Sequence, residues 1–302
     1  MQHSFSGHET FPFRYPWLKK GVDAVFADGN VFLRDDAITT LGVGKNMVRS
    51  IRHWCLTAGV LEENTAIVGG ALRVSELGKL LLADDGLDPY LEDPATLWLL
   101  HWRIASNRAR ASTWFWIFSH FHEPEFSREV LTSALFRWTQ TLSGKKVAFS
   151  SLKRDVEVFL RTYVASRHQR GKVAEDSLDC PLTELGLLTQ TGDGQSFQFR
   201  RGAQRTLPDG ILLYAVLSFW KSFAPNAKTL ALHDLSRQPR SPGRLFKIDE
   251  SSLAERLESV ERRTQGVLFY DETAGLRQLY RRQELEPEAA LVEAYKTAGA
   301  RR

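Results

Sequence analysis

Between Asp35 and Leu56 the pair Gly42 and Gly44 divides a short apolar run from a longer amphipathic one. Glycine reverses a chain over very few residues because it tolerates left-handed backbone. A helix, a three-residue turn and a second helix are therefore predicted here, the plan of a helix-turn-helix. Asp35 or Asp36 is placed to cap the first helix, in which Ile38 and Leu41 supply apolar contacts. Val48, Ile51 and Cys55 recur at i, i+3, i+7 and form the buried stripe of the second. Asn46, Arg49, Ser50 and His53 recur on another face, flanked by Lys45 and Arg52 and interrupted by no carboxylate. Asn and Arg make bidentate contacts to adenine and guanine in the major groove, and a lysine at the helix start suits a phosphate. Such a face is also what any solvated helix presents.

Two β-type runs, Thr65–Val68 and Ala71–Val74, flank Gly69-Gly70, a hairpin signal, and Arg73 would point from it. Ser75 then caps a further helix. Helix, turn, helix and hairpin in this order predict a winged helix, in which the hairpin lies along the DNA backbone. The fold class expected is mainly α with small β-hairpins. An N-terminal arm and winged helix-turn-helix would span 1–83, a helical domain with a basic section and a hairpin 84–245, and a small C-terminal α/β or winged-type module 246–302.

With 302 residues, a net charge of +4 and a pI near 9.1, the chain tolerates nucleic acid as a partner without requiring it. Cys55 lies on an apolar stripe and Cys180 precedes Pro181, so neither a disulfide framework nor a zinc site is indicated and a cytoplasmic setting is expected. No basic segment leads into an apolar run at the N-terminus, and no run approaches the roughly 18 residues that cross a bilayer. No membrane partner is expected.

Pro16 fits the first turn of a helix through Leu18, Val22, Val25 and Phe26. Ahead of it, His8 and Glu9 are candidates for an acid/base or metal-assisted pair, and Arg14 is a third catalytic candidate. The alternative is that they only tie the arm to backbone. The stretch Ser6-Gly7-His8-Glu9-Thr10-Phe11-Pro12-Phe13-Arg14, with Trp17-Leu18-Lys19-Lys20-Gly21, resembles the opening of bacterial domain-of-unknown-function family number four thousand and seven. Leu41 to Arg52 with Trp54-Cys55 is similar to that family's second signature, and Pro181–Leu187 and Asp271–Arg277 are compatible with its pattern. The resemblance implies a place in DNA phosphorothioation, where sulfur replaces a non-bridging phosphate oxygen. In the single-strand version of that system the member resembles the nicking component, beside a cysteine desulfurase, an ATPase and a sulfotransfer enzyme. It assigns no catalytic residue.

Asp84 to Asp93 is an acidic, turn-rich junction, and Pro94 starts the first of two helices apolar nearly all round. His120 and His122 sit beside Glu123, but residues two apart on a helix face opposite ways, which argues against one shared ion. Arg137 to Lys172 is the most basic section, with Lys145, Lys146, Lys153, Arg154, Arg167, Arg170 and Lys172 among nine cations set against only Asp155 and Glu157. Such clusters neutralise phosphates. Gln190–Gln195 reads as a hairpin turn followed by Arg200, Arg201 and Arg205, Asp209 caps a buried helix, and Arg237–Lys247 reads as a basic linker. Asp249 caps another helix.

Three functions follow: a metal-dependent DNA nickase, a non-catalytic recognition subunit and a transcriptional regulator of the same system. Nicking requires a metal or strong base to ready water, Mg2+ being the expected ion. Glu9, Asp176, Asp179 and Asp193 are candidate carboxylates and His8 the candidate base, with the metal ligands open. The expected partners are double-stranded DNA, the other modification components and a second copy of the chain as a homodimer.

Overall fold

The computed structural model describes residues 3–66, 69–144, 146–165, 180–192 and 194–299. The chain is mainly α with small antiparallel sheets and divides into two compact units, 1–117 with 122–198 and 118–121 with 199–302. Among the described residues no helix is long and apolar enough to cross a membrane.

In the first unit α1 (Tyr15–Ala27) has Pro16 in its first turn and buries Trp17, Leu18, Val22 and Val25. Phe26, expected on the same stripe, is 52% exposed. Next come α2 (Ala37–Leu41), the Gly42–Gly44 turn with Gly42 left-handed at φ 62°, and α3 (Lys45–Ala58). Asp36 holds the N-cap position of α2 but makes no cap bond, because its carboxylate pairs with Arg34. Ile38 is exposed while Leu41 is buried. The stripe Val48, Ile51 and Cys55 is buried as its period predicts, joined by Trp54.

The hairpin is displaced from its predicted place. β1 (Leu61–Glu63) pairs with β2 (Leu72–Val74), Leu61 opposite Val74, so the first strand ends before Thr65. Leu61 and Leu72 are buried whereas Thr65 and Ala66 are exposed, so core contact selected the earlier strand. Ser75 caps α4 (Glu76–Leu82), its Oγ accepting from Gly78 N at 2.9 Å. α5 (Pro94–Ser106) and α6 (Ser112–His120) are buried, and α7 (Arg128–Gln140) packs against α8 (Phe149–Tyr163). β3 (Glu125–Ser127), β4 (Leu188–Gln190) and β5 (Ser196–Phe199) form a sheet ordered β3–β5–β4.

The second unit centres on α9 (Asp209–Phe223), buried along most of its length. β6 (Thr229–Ala231), α10 (Leu232–Arg237), α11 (Pro242–Leu245), α12 (Glu250–Glu258) and α13 (Val260–Arg263) follow. β7 (Leu268–Thr273) and β8 (Leu276–Arg281) pair antiparallel, with β6 on the other side of β8. α14 (Pro287–Gly299) lies on α9 at Gly210, where an added Cβ would come within 2.7 Å of the Ala294 Cβ. Asp209 opens α9, but its carboxylate pairs with Arg256 and Arg263 instead of capping.

The expected boundaries near 84 and 246 do not coincide with these units. Ser4 and His8 of the arm bond to Ser112 and Asp155, which ties 1–83 to the helices that follow. β6 pairs with β8 across the second boundary. Arg237–Lys247 is no linker, since it contains α11 and buries Leu245, Phe246 and Lys247.

Candidate nucleic-acid interface

The polar face of α3 is narrower than its sequence suggests. Lys45, Asn46 and Arg49 are exposed. Ser50 is fully buried and its hydroxyl donates to the His8 carbonyl at 3.0 Å. His53 is half-buried beside Thr57 Oγ1 (3.4 Å), with Gly7 set so close that a Cβ there would lie 2.5 Å from His53 Nδ1. Burial, then the nearness of His8, Arg110 and Arg52, pushes the His53 imidazolium down to a pKa of about 3. Arg52 is half-buried near Arg110, which itself bonds Glu63 at 2.9 Å, and burial lowers the Arg52 pKa. Ser50 and His53 therefore support the arm and cannot join a base-reading face. The physical reason is that the arm covers the C-terminal half of that face.

The arm is held from below by Asp155 of α8, which is 1% exposed. Its Oδ1 accepts from Ser6 N (2.9 Å) and Ser6 Oγ (3.1 Å), and faces His8 Nε2 at 3.1 Å. Its Oδ2 accepts from Thr113 Oγ1 at 2.7 Å. Thr10 N donates to His8 Nδ1 (3.2 Å), so that nitrogen offers the lone pair and Nε2 carries the proton towards Asp155. The rings of Trp54 and Trp114 enclose the imidazole, with centroids at 6.2 and 5.5 Å. Ser6, Glu9 and Thr10 all have left-handed backbone (φ 62°, 49° and 72°). Each such residue costs about 1–3 kcal/mol, so surrounding contacts must hold the arm in place.

His8 and Glu9 thus do not act as a pair. His8 turns inward, is 2% exposed and has both nitrogens engaged, which leaves it no open lone pair to serve as a base. Glu9 points outward and lies 3.6 Å from Arg49. Arg14 stacks over Trp17 at 5.5 Å. Arg161 donates to the Thr10 carbonyl, and its pKa is lowered by burial and by the charge of Arg14 while Glu157 opposes the shift. Asp155 is inconspicuous in the sequence because it is one acid in a basic run. The usable signal was its place among Leu152, Val156 and Phe159, a carboxylate on the buried stripe of a helix.

Among the remaining candidates, Lys146, Lys153 and Arg154 are exposed. Arg73 is paired with Glu62 across the β1–β2 hairpin at 2.8 Å. Arg200 and Arg201 are exposed in the second unit. Lys145, Arg167, Arg170, Lys172, Asp176, Asp179 and Asp193 lie outside the described residues. Among the described residues no three His, Cys, Asp or Glu side chains group to hold a metal. Asp155 does not fit a divalent ion either, since four donors already occupy its oxygens.

The sequence model of a family described as "Protein of unknown function (DUF4007)" matches residues 5–295. A solved chain described as "SspB crystal structure" is similar at 32% identity and a TM-score of 0.87, over 98% of this chain and 87% of that one. A second, described as "Magnesium ion-bound SspB crystal structure", is similar at 30% identity and a TM-score of 0.84, over 99% of this chain and 97% of that one. No curated protein matches the chain.

Proposed function

The chain belongs to the DUF4007 family, and from that premise we propose that it is a DNA-recognising component of an Ssp-type DNA phosphorothioation defence system. One observation carries this reading. Lys45, Asn46 and Arg49 project from the first turns of a helix that follows a tight glycine turn, on a face without a competing core contact. Helix-turn-helix proteins contact base edges with the N-terminal residues of the second helix. In this reading α2, α3, the β1–β2 hairpin and α4 act as a winged helix, with Arg73 near the sugar-phosphate backbone. Asn46 and Arg49 read bases, Lys45 takes a phosphate, and Lys146, Lys153 and Arg154 add salt-sensitive affinity. The remaining modification enzymes are its partners in the cytoplasm.

A second reading, that the chain nicks one strand, is favoured by the likeness to a chain described as magnesium ion-bound. Glu9 is its candidate acid, being the outward carboxylate of the arm beside Arg49. Two measurements on the purified protein separate the readings. A duplex shift assay should show binding that is lost in the Asn46→Ala, Arg49→Ala double variant. Binding that survives this loss sinks the first reading. Supercoiled plasmid with Mg2+ should be converted to open circle only if the second holds, with a chelator abolishing conversion and Glu9→Gln reducing it.

A further inference from the structure

The second unit contains a cationic cavity that the DNA reading does not use. It measures about 360 Å³ and is lined by Arg201, Ser236, Arg237, Arg244, Asp249 and Glu250. The two carboxylates are largely committed. Asp249 caps α12, accepting from Ser252 N (2.8 Å), Ser252 Oγ (2.9 Å) and Ser251 Oγ (2.7 Å). Glu250 pairs with Arg237 at 3.2 Å. Arg244 Nε donates to the Arg237 carbonyl at 3.0 Å, which fixes its guanidinium at the wall. Arg201 has no carboxylate partner among the described residues, and the isolated Gly202–Ile248 bridge holds its segment against the one carrying Lys247.

Lys247 does not line the cavity but is the unusual residue near it. It is 8% exposed, its Nζ is 3.4 Å from the Phe118 carbonyl, and it sits over the rings of Phe199 and Phe118 at 4.2 and 5.3 Å. No carboxylate pairs with it among the described residues. Burial, then the charges of Arg244 and Arg201, lowers its pKa to about 7. A buried ammonium that feels the charge of two guanidiniums is unfavourable unless an anion offsets them. Lining arginines suit an anion with several acceptor oxygens, because a guanidinium donates in a fixed fork. The volume is at the low end of small-ligand pockets, roughly 300–1,000 Å³, which leaves room for one phosphate and its sugar but not for a duplex.

We propose that this cavity binds a phosphate monoester, with Arg201 and Arg244 on its oxygens and Lys247 supplying charge from the protein side. A monoester carries close to two negative charges near neutral pH, against one for a backbone diester. The ligand has two possible sources, the phosphorylated end of a nucleic-acid strand or a free small-molecule phosphate. The site stands independently of α3.

Isothermal titration of the full chain with inorganic phosphate tests it. Saturable millimolar or tighter binding is expected, weakened ~10-fold, about 1.4 kcal/mol, in both Arg201→Gln and Lys247→Met. Arg201 is exposed and its replacement does not disturb the core, so it remains informative if Lys247→Met folds poorly. Absence of saturable heat in the wild type, or unchanged binding in Arg201→Gln, overturns the proposal. A short 5′-phosphorylated oligonucleotide binding better than its 5′-hydroxyl twin identifies a strand end, and equal weak binding of both beside firm phosphate binding identifies the free ligand. Asn46→Ala with Arg49→Ala should leave phosphate affinity intact, so failure of the α3 reading is separable from failure of this one.

Discussion

Replacing Asp155 by alanine should detach the arm while leaving most helices formed. The carboxylate accepts from Ser6 N, Ser6 Oγ and Thr113 Oγ1 and faces His8 Nε2, all within 3.1 Å, with Asp155, His8 and Thr113 buried and Ser6 half-buried. Hydrogen bonds to a charged acceptor contribute about 1.5–3 kcal/mol each, but members of one network are not additive. Deleting the acceptor also leaves its buried donors unsatisfied, at about 1–3 kcal/mol for each such group. Against this, a freed arm relaxes the left-handed residues Ser6, Glu9 and Thr10, which store about 1–3 kcal/mol each. At their midpoints, four such hydrogen bonds (about 6–12 kcal/mol) against about 3–9 kcal/mol of relaxed strain leave an expected net loss of roughly 3 kcal/mol in urea unfolding. Trp54 and Trp114 flank His8, so their fluorescence should report the detachment directly. Asp155→Asn keeps an acceptor for Ser6 and should lose less. Because the arm backs α3 through Ser50 and His53, duplex affinity should fall with stability. A loss within about 0.5 kcal/mol, typical of surface positions, with unchanged tryptophan emission would refute the reasoning.

Two further outcomes follow from other sites. Arg49→Ala should relax preference at one base pair by about 1–3 kcal/mol, whereas Lys153→Ala should weaken all duplexes alike and reduce the salt slope by about one. Equal loss across sequences from both would count against base reading. Lys247 has a folded pKa of about 7 against an ordinary 10.5, so between these values the unfolded chain binds the extra proton and stability rises with pH. Lys247→Met should accordingly be the more stable protein at pH 7, with the gap closing by about 1.4 kcal/mol per unit between pH 8 and 10. Parallel stability curves for the two proteins would exclude a depressed lysine.

Features that depend on residues a few positions apart were legible in the chain itself. The stripe Val48, Ile51 and Cys55, the cap Ser75, the start at Pro94 and the cap Asp249 all formed where period and capping chemistry placed them. The Gly42 turn belongs with them, because a left-handed residue there is a local demand. The family signatures around His8 and Asn46 were readable as strings but silent about direction. Nothing within a few residues of His8 says that it turns inward, since its partner Asp155 is 147 positions away. Ser50 and His53 have the spacing of a recognition face, but the arm lies on them. The same holds for Lys247, which sat in a stretch resembling a linker and is in fact buried against Phe118 and Phe199. Periodicity sets which face of an element is apolar, whereas the fate of a polar side chain depends on what distant segment desolvates it. Only the tertiary structure supplies that segment.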